Sequence, residues 1–498
     1  MTPAANSNTH VSLLHSKSFS SPQETIFTRD RVLPSASSSP SDEDLEFWRR
    51  SLASPLLEIL RQTQYSTEAI DAFKNLIDTL VLPALGRAPQ RTGQGWNFAF
   101  PSFMNDNHCP VEIGLTWEKG QPSVKFSIEP IGCPSGDEFQ TLANLLAAER
   151  LCQALSAAGL GNFDRLRDLA KHCICEEYDG DLLQGSQVFV AFDLKRSGKI
   201  FAKAYLMPHA RAKRTSASNF EVVDEAIRRV HADGTAWSKV CSYYHSLCPS
   251  EQPEPVVLST DCSDDASARI KIYFRYRTKD FESVLQHLSL GGRISAGWDR
   301  SLRQLWDAVL SEQKQDETTC LRTISDDSEA TGGVLIYYDF SESEDEATAK
   351  IYLPVRHWAA SDQAAAEGLS QYLQMSQSFL PTHFGTSSTH DNVSQPFLYE
   401  RVLQQFAQPF DLQGRGLQNY VCIGQKKDGR VDLSVYLNPL PPQMSGISTP
   451  EAMETCSQSA PCQVKSPEDE EDSKTLADGL TCYGSTIKDF LRRTPRVL

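Results

Sequence analysis

The sequence lacks the motifs that identify several large classes of enzyme and membrane protein. Its thirteen cysteines contain no C-x-x-C pair, and neither a G-x-S-x-G nucleophile elbow nor a Gly-rich phosphate loop occurs. Cys173-Ile-Cys175 beside His172 comes nearest to a metal cluster but lacks a second ligand pair. No apolar run is long enough to span a bilayer, and no secretory signal is present. We therefore expect a cytoplasmic protein with reduced thiols and no membrane partner.

Positive charge is also scarce. Lys and Arg number 48 against 64 Asp and Glu, which gives a formal net charge of −16 at pH 7. A general nucleic-acid binder carries a basic surface, so this balance argues against a nucleic-acid partner. Basic residues clustered on a few strands of an acidic protein indicate a local site for an anion instead.

The basic residues that are present repeat a short pattern. The segment Arg269–Tyr273 alternates cations with isoleucine and ends in tyrosine, and shorter copies occur at Lys203–Tyr205 and Lys350–Tyr352. Residues two apart in a strand share a face, so the cations and the tyrosine of each segment line one side. A half-buried strand with its charges in water would show the same alternation. Three such strands favour a lined cavity, because tyrosine suits half-buried surfaces, and converging cations need an anion.

Two β-like runs followed by a helix recur about five times along the chain. Turn-separated pairs of this kind are typical of antiparallel hairpins, and the period indicates repeated supersecondary units. Ten antiparallel strands can close into a barrel without exposed edges. We therefore predict an α+β fold, a closed ten-stranded antiparallel β-barrel of repeated ββα units surrounded by α-helices and enclosing a ligand cavity. The predicted strands are Glu112–Trp117, Val124–Ile128, Val188–Phe192, Ile200–Met207, Pro255–Leu258, Arg269–Tyr276, Val334–Asp339, Ala349–Val355, Tyr420–Ile423 and Val431–Tyr436.

The flanks of this repeat differ in composition. Residues 1–40 are rich in Ser, Thr, Pro and Asn, cannot bury a core, and are predicted to form a disordered tail. A capping box at Ser41 and Asp44 opens an N-terminal pair of helices that ends near Gly86. We assign residues 41–439 to a single barrel domain, 440–478 to a disordered acidic insertion, and 479–498 to a C-terminal helix of the barrel domain.

Seven short motifs follow one another along the chain. They are Pro110-Val-Glu112-Ile, Lys125-x-x-x-Glu129-Pro130-Ile-Gly132, Lys203-Ala-Tyr205, Arg269-Ile-Lys271-Ile-Tyr273, Leu288-x-Leu-Gly-Gly-Arg293, Lys350-Ile-Tyr352-Leu-Pro354 and Tyr436-Leu-Asn-Pro439. In this order they resemble the fungal aromatic (indole) prenyltransferases of the dimethylallyltryptophan synthase family. The resemblance covers about Asp44 to Pro439 plus the last helix. It implies the closed antiparallel barrel ringed by helices that is called the ABBA fold.

The resemblance also implies a reaction, the transfer of a dimethylallyl group from dimethylallyl diphosphate to an aromatic small molecule. Glu112 would hydrogen-bond the N–H of an indole, although sequence alone favours a carboxylate in water. Phe103 and Met104 would shape the acceptor pocket, and core packing explains these two residues equally well. The diphosphate would be bound by Lys125, Lys203, Arg269, Lys271 and Lys350. The prenyl cation would be screened by Tyr205, Tyr273, Tyr352, Tyr420 and Tyr436.

The sequence departs from the family pattern at three places. Lys125 stands where several relatives carry arginine, and Lys350 stands where some carry glutamine. A lysine that some relatives place at the start of the second unit is absent from Val188–Ala191. The residue that removes the final ring proton is therefore left unassigned.

Many prenyl-transferring enzymes hold Mg²⁺ with aspartate-rich motifs. Here neither Asp264-Asp265 nor Asp326-Asp327 is followed by the aspartate that such a motif needs three positions on. Preorganised lysine and arginine in a low-dielectric cavity can stabilise the departing diphosphate instead. Tyrosine faces attract a cation by roughly 0.5–2 kcal/mol each and exclude water. We therefore predict metal-independent turnover without a cofactor.

The acceptor stays open. An indole compound such as tryptophan, a cyclic dipeptide or an indole alkaloid is the first hypothesis. A phenol, xanthone or other polyketide with the same donor is the second, and a non-catalytic barrel that binds an anionic lipid is an alternative of another class. The ring position, normal or reverse attachment, the donor chain length and the oligomeric state, a homodimer included, cannot be read from the sequence.

Overall fold

A closed barrel of ten antiparallel strands lies at the centre of the protein, which confirms the predicted fold. The computed structural model describes residues 39–92, 95–117, 122–133, 140–176, 185–231, 234–264, 267–295, 297, 299–310, 332–341, 344–375, 395–406, 412–425 and 431–440. The strands are β1 (Gln90–Thr92), β2 (Gly95–Asn97), β3 (Val111–Trp117), β4 (Ser123–Ile128), β5 (Val188–Leu194), β6 (Ile200–Leu206), β7 (Glu254–Asp261), β8 (Ile270–Tyr276), β9 (Val334–Phe340), β10 (Thr348–Leu353), β11 (Gln418–Gln425) and β12 (Val431–Leu437). The first two form a separate hairpin, and β3 to β12 follow one another round the barrel. Pairing of β12 with β3, from Leu433 opposite Trp117 to Leu437 opposite Ile113, closes it.

The helices cover the outside of this barrel. They are α1 (Asp42–Trp48), α2 (Ser54–Gln62), α3 (Thr67–Leu76), α4 (Leu82–Leu85), α5 (Gln140–Ala157), α6 (Asp164–Cys173), α7 (His209–Thr215), α8 (Asn219–Val230), α9 (Thr235–Ser246), α10 (Phe281–Leu288), α11 (Asp299–Val309), α12 (Val355–Trp358), α13 (Asp362–Met375) and α14 (Gln395–Phe406). Wider π-helical turns at Arg49–Ala53 and Ile77–Val81 join α1 to α2 and α3 to α4. None of the described helices is long and apolar enough to cross a membrane.

Strand β8 shows how the alternation of the sequence sorts side chains between two regions. Ile270, Ile272 and Phe274 belong to the large apolar core between barrel and helices. Tyr273, of the opposite parity, belongs to a separate cluster inside the barrel. The strand is buried along its whole length, because helices cover its outer face and the barrel wall encloses its inner face.

The N-terminal helix pair begins at the predicted capping box. The Ser41 hydroxyl accepts a hydrogen bond from the Asp44 backbone N–H, and the Asp44 carboxylate accepts one from the Ser41 N–H. Tyr65, between α2 and α3, donates its hydroxyl to the Leu194 carbonyl at 2.6 Å and accepts the Val124 N–H at 3.0 Å. These two bonds tie the helix pair to β4 and β5.

Several strands have other bounds than predicted, and β5 and β11 are longer. The predicted strand Ala349–Val355 ends at Leu353, because Val355 begins a helix. The first strand of the third hairpin, expected over Pro255–Leu258, runs from Glu254 to Asp261 and has a β-bulge between Pro255 and Val257. The sequence predicted only the first half of this strand, because Ser259 and Asp261 in the second half are polar residues that face the barrel interior.

Several predictions lie outside the described residues. They are the disordered tail over residues 1–38, the acidic insertion beyond residue 440 and the C-terminal helix at 479–498.

Candidate active site

Side chains of opposite charge alternate around one end of the barrel interior. Strands β4, β6, β8 and β10 bring a lysine each, and Arg269 directly precedes β8. Strands β5, β7 and β9 bring aspartate at positions opposite these lysines. Asp432 of β12 lies opposite Gly424 of β11, which in turn lies opposite Lys350. We call these nine residues the charged layer: Lys125, Asp193, Lys203, Asp261, Arg269, Lys271, Asp339, Lys350 and Asp432. All five cations predicted from the sequence belong to it. The aspartates were not predicted.

Four of the five cations are held in ion pairs across strand boundaries. The nitrogen–oxygen distances are 2.6 Å for Lys203–Asp193, 2.8 Å for Lys271–Asp261, 3.0 Å for Arg269–Asp261, 2.8 Å for Arg269–Asp339 and 3.1 Å for Lys350–Asp432. Five positive and four negative side chains leave the layer with one net positive charge when all are ionised. The layer is therefore nearly neutral. A polyanion that binds there has to compete with the aspartates, which are already paired with four of the five cations.

Lys125 differs from the other cations of the layer. Its ammonium donates to the Ser434 hydroxyl at 3.3 Å and lies 4.4 Å from the centre of the Tyr436 ring. Burial, assisted by the charge of Lys350, lowers the pKa of Lys125 to about 7. For Lys203 burial acts in the same direction, but the carboxylate of Asp193 outweighs it and raises the pKa. Lys125 is thus the cation that an incoming anion would stabilise most.

A glycine on the neighbouring strand makes room for Lys125. Gly114 lies opposite Lys125 in the β3–β4 pairing. A Cβ atom at this position would lie 2.7 Å from Lys125 Cε and 2.8 Å from its Cγ, closer than van der Waals contact allows. The absence of a side chain on β3 therefore sets the path that the lysine takes across the interior.

A second ring of residues lies next to the charged layer. We call it the tyrosine belt: Tyr205, Tyr273, Tyr337, Tyr352, Tyr420 and Tyr436. Tyr352 is at its centre, with ring centroids 5.8 Å from Tyr273, 5.5 Å from Tyr436 and 5.9 Å from Tyr420. Burial raises the pKa of Tyr205 to about 12 and also raises the pKa of Tyr352 well above its usual value. Both of these tyrosines are therefore neutral at physiological pH and present aromatic faces to the interior.

The belt surrounds a cavity of about 680 Å³, a volume that includes its open mouth. The lining is mostly aromatic and apolar, with Glu112 as the one carboxylate and Arg356 as the one cation among the described lining residues. The lining residues are Phe103, Met104, Glu112, Ser127, Phe189, Tyr205, Val256, Val257, Tyr273, Leu335, Tyr352, Arg356, Tyr420 and Tyr436.

Glu112 lies on β3 at the end of the cavity away from the charged layer. Its Oε1 accepts hydrogen bonds from the amide of Asn419 at 2.8 Å, and the same amide donates to Asn105 at 2.7 Å. Burial raises the pKa of Glu112 to about 7, against the opposing effects of Asn419 and the positive charge of Arg356. The carboxylate is held by a fixed amide donor and can accept one hydrogen bond from a group in the cavity.

The loop that carries Phe103 and Met104 is fixed by a buried glutamate. Glu129 Oε2 accepts hydrogen bonds from the hydroxyls of Ser102 at 2.6 Å and Ser186 at 2.7 Å. Ser186 in turn accepts the backbone N–H of Phe103 at 2.8 Å. Both predicted acceptor-pocket residues line the cavity. Because Glu129 directly follows β4, its hydrogen bonds attach the loop of Phe103 and Met104 to that strand.

Two buried arginines lie at the Glu112 end. Arg356 follows β10, and its guanidinium donates from Nη2 to the Tyr420 hydroxyl at 3.0 Å and pairs through Nε with Asp106 at 3.2 Å. Arg275, on β8, is 1% exposed and donates from Nη1 to the Gly332 carbonyl at 2.9 Å. Burial, with Arg356 nearby, lowers the pKa of Arg275. Neither arginine was singled out from the sequence.

Of the segment Val188–Ala191, Phe189 is the residue that lines the cavity. Its ring stacks on Tyr205 with ring centroids 4.2 Å apart. It offers no base there. Among the residues that the structure describes, no group of three or more His, Cys, Asp or Glu side chains is arranged to hold a metal ion.

Comparison with known proteins agrees with this geometry. Residues 44–378 match the family model described as tryptophan dimethylallyltransferase. The chain is 30% identical over 409 residues to 4-O-dimethylallyl-L-tyrosine synthase of Claviceps purpurea, covering 79% of this chain and 88% of that protein. It is 24% identical over 427 residues to 7-dimethylallyltryptophan synthase of Aspergillus fumigatus, covering 76% and 85%. The fold matches that of NotF, solved in complex with brevianamide F and DMSPP, with a TM-score of 0.64 at 20% identity over 81% of this chain and 96% of NotF.

Proposed function

The chain is an aromatic prenyltransferase of the tryptophan dimethylallyltransferase family, and from this premise we propose that it transfers a dimethylallyl group from dimethylallyl diphosphate to an indole-containing acceptor. One observation carries the proposal. Five cations with their partner aspartates, a belt of tyrosines and the carboxylate of Glu112 follow one another in that order inside one closed barrel. The three zones correspond to the leaving group, the allylic cation and the aromatic nucleophile.

The charged layer would hold the diphosphate. Lys125, Lys203, Arg269, Lys271 and Lys350 approach one region from four strands, and Lys271 and Lys350 are each only 4% exposed. Buried cations fixed before the reaction need no reorganisation when charge develops on the leaving oxygen. The bond between the allylic carbon and that oxygen breaks, and its electron pair leaves with the diphosphate.

The tyrosine belt would shelter the allylic cation. Tyrosine faces attract a cation electrostatically, and a closed aromatic wall excludes the water that would convert it to an alcohol. The belt is adjacent to the charged layer, as Lys125 over the ring of Tyr436 shows at 4.4 Å. A cation formed in the belt therefore remains close to the diphosphate it has left.

Glu112 would orient the acceptor. Its ionised carboxylate would accept the indole N–H and stabilise positive charge as the ring attacks. The new bond joins a ring carbon to the allylic carbon, and loss of the ring proton restores aromaticity. Phe103 and Met104 would pack against the ring from the loop that Glu129 holds.

A phenol is the second candidate acceptor. The support is the 30% identity to an enzyme named for prenylation of L-tyrosine, against 24% to an enzyme named for tryptophan. A phenolic O–H can donate to Glu112 as an indole N–H does, so the site geometry accommodates either.

We further propose that turnover requires no divalent metal. The charged layer supplies the positive charge that a metal would otherwise bring to the diphosphate, and its aspartates are engaged with lysine and arginine. Activity that persists in EDTA is expected. Complete loss in EDTA that Mg²⁺ restores would contradict this part of the proposal.

The decisive experiment is an acceptor screen. The purified protein is incubated with dimethylallyl diphosphate and a panel of tryptophan, tryptophan-containing cyclic dipeptides, tyrosine and xanthones, and products are identified by mass spectrometry. The expected product is about 68 Da heavier than its acceptor, because prenylation adds C₅H₈, which is one isoprene unit. Glu112→Gln serves as the matched variant and should lose most turnover while retaining diphosphate binding. A protein that binds diphosphate but modifies no acceptor would favour a non-catalytic barrel.

A further inference from the structure

One buried hydroxyl joins two of the five cations of the charged layer. Ser434 lies on β12 and is 0% exposed. Its Oγ accepts hydrogen bonds from Lys350 Nζ at 2.8 Å and Lys125 Nζ at 3.3 Å. The Thr116 hydroxyl lies 3.0 Å away. A hydroxyl has two lone pairs and one hydrogen, so with two ammonium donors on its oxygen Ser434 donates its hydrogen to Thr116.

The strand order explains how two lysines from distant strands reach the same serine. Strand β12 is the middle one of the five neighbours β10, β11, β12, β3 and β4. Lys350 comes from β10 and Lys125 from β4, so each side chain crosses one strand. At both crossings the intervening residue is glycine: Gly424 lies opposite Lys350, and Gly114 lies opposite Lys125. A Cβ atom on Gly424 would lie 3.0 Å from Lys350 Cβ and 3.1 Å from its Cγ. The two glycines therefore leave room for the lysines to converge on β12.

These two lysines hold the excess positive charge of the layer. The other three cations are paired with three aspartates, from β5, β7 and β9. Lys125 and Lys350 have one carboxylate of the layer between them, that of Asp432, which lies 3.1 Å from Lys350 Nζ. The one net positive charge of the ionised layer is therefore located at Ser434. An anion that binds there meets less competition from carboxylates than it would at the other three cations.

Two ammonium groups on one oxygen also repel each other. Lys350 is 4% exposed, so water screens its charge poorly. After burial, the charge of Lys350 is the largest influence that lowers the pKa of Lys125. A bound anion would offset this repulsion and favour the protonated form of Lys125. Because Lys125 Nζ lies 4.4 Å from the centre of the Tyr436 ring, such an anion would lie next to the tyrosine belt.

We propose that Ser434 is a positioning residue that holds Lys125 and Lys350 as a two-ammonium clamp, and that the diphosphate of the donor binds to this clamp more strongly than to the other three cations. This inference rests on the proposed prenyl transfer and assigns its leaving group to one part of the charged layer. The hydroxyl fixes both ammonium groups before the donor binds, so little reorganisation is needed. An ammonium group has three N–H donors, and each lysine of the clamp keeps at least one for a phosphate oxygen.

The test measures binding of inorganic diphosphate to the whole protein by isothermal titration calorimetry. Ser434→Ala removes the shared hydroxyl. Lys125→Met removes one cation of the clamp and Lys203→Met one cation outside it, and each is also combined with Ser434→Ala. The control is Ser370→Ala, because Ser370 is a buried serine on α13, outside the barrel, whose hydroxyl has no partner among the described residues. Steady-state kinetics of the same variants give KM for the donor and for the acceptor.

We expect Ser434→Ala to raise the Kd for diphosphate by about 10-fold, since a hydrogen bond to a charged group contributes about that factor. The KM for the donor should rise with it, and the KM for the acceptor should not change. In the Lys125→Met background the effect of Ser434→Ala should shrink to less than about 3-fold, because the hydroxyl acts through this lysine. In the Lys203→Met background it should persist in full.

Two further comparisons belong to the expected result. Lys125→Met should weaken diphosphate binding more than Lys203→Met does, and Ser370→Ala should bind as the wild type does. Should Ser434→Ala fail to fold, Ser434→Cys takes its place, because a thiol is a weaker hydrogen-bond acceptor than a hydroxyl.

An unchanged Kd in the Ser434 variant would overturn the inference, and so would an effect that stays undiminished without Lys125, since it would then come from a distortion of β12. Equal losses in Lys125→Met and Lys203→Met would also overturn it. Product formation with an unchanged donor KM in the Ser434 variant would reject the clamp and leave the prenyl transfer intact. Binding of diphosphate that depends on Ser434, without product from any acceptor, would support the clamp and contradict the proposed reaction.

Discussion

Lys203 Nζ and Asp193 Oδ2 lie 2.6 Å apart on adjacent strands inside the barrel. Asp193 comes from β5 and Lys203 from β6, and this pairing of opposite charges is repeated around the charged layer. Asp193 keeps Lys203 ionised in an interior that would otherwise favour the neutral amine, as the raised pKa of Lys203 indicates. It also competes with any anion for the same ammonium group. Lys203 thus stays charged at the cost of weaker anion binding.

Replacing Asp193 by asparagine tests this balance. Asp193→Asn leaves Lys203 without its nearest carboxylate, and we expect the free energy of unfolding to fall by about 2 kcal/mol in the absence of ligand. This is less than the ~3–5 kcal/mol of a fully buried pair, because 18% of the Lys203 side chain is exposed. Inorganic diphosphate should raise the melting temperature of the variant by more than that of the wild type. In the variant, Asp193 no longer competes with diphosphate for the ammonium of Lys203.

The matched control is the exposed ion pair Lys171–Asp168, with a nitrogen–oxygen distance of 2.7 Å. Asp168→Asn should change stability by less than about 0.5 kcal/mol and leave the response to diphosphate unaltered. Scanning calorimetry with and without diphosphate measures both. An equal diphosphate response in Asp193→Asn and wild type would show that Asp193 does not compete for Lys203.

The pH dependence of activity should be narrow. Burial raises the pKa of Glu112 to about 7 and lowers that of Lys125 to about 7. Orientation of the acceptor needs ionised Glu112, so activity rises as pH increases through 7; diphosphate binding needs protonated Lys125, so activity falls beyond that value. The kcat/KM for the donor, which reports groups of the free enzyme, should therefore be bell-shaped with its maximum near pH 7.

Two variants separate the limbs of this profile. Glu112→Gln should lose the rising limb along with most activity, and Lys125→Arg should move the falling limb to higher pH because arginine stays protonated. A wild-type profile that is flat between about pH 6 and 8 would contradict these roles for both residues.

The barrel could be predicted from the sequence because each hairpin carries a local signal. In β8 the alternation of isoleucine with cation and tyrosine shows which face is apolar, and the structure sorts these residues accordingly. Strand β7 was only partly predicted. Its inward Ser259 and Asp261 make the second half read as a loop, since polar residues are rarely placed in a barrel interior unless they have partners there.

The aspartates of the charged layer were missed for a related reason. Asp193 ends an apolar run and resembles the first residue of a turn, and only the register of the β5–β6 hairpin places it beside Lys203. That register could have been counted back from the turn at Gly198, where φ is 81°. Arg275 and Arg356 carry no such signal. They are far apart in sequence, and their proximity depends on closure of the barrel.

Gly114 provides a test of how closely the position of Lys125 is controlled. A Cβ atom at residue 114 would overlap the Lys125 stem, which is flexible enough to move aside. We expect Gly114→Ala to raise the Kd for inorganic diphosphate by about 5–10-fold, roughly 1 kcal/mol or somewhat more, with little change in melting temperature. Isothermal titration measures the affinity.

The control for this prediction is the background Lys125→Met. If Gly114→Ala acts through the lysine, its effect on diphosphate affinity should vanish once the ammonium is absent, because the two changes share one mechanism. An undiminished effect in the double variant would assign it to a different distortion of β3.

The tyrosine belt should control how the allylic cation is partitioned between acceptor and water. Tyr352 has four ring neighbours in the belt, and its hydroxyl lies 3.3 Å from that of Tyr436. Tyr352→Phe keeps the aromatic face and loses the hydroxyl with its contacts, whereas Tyr352→Leu removes the face that attracts the cation.

We therefore expect Tyr352→Leu to slow prenyl transfer by about 2–30-fold, the equivalent of ~0.5–2 kcal/mol of cation–π attraction, and to raise the yield of dimethylallyl alcohol relative to prenylated product. Tyr352→Phe should leave that ratio nearly unchanged. Chromatographic quantitation of alcohol and product from the same reaction measures it. Tyr372→Leu, on α13 and buried outside the barrel, controls for loss of a buried tyrosine, and it should lower stability without altering the ratio. If all three variants give the wild-type ratio, the belt is a packing element of the barrel and water is excluded by other means.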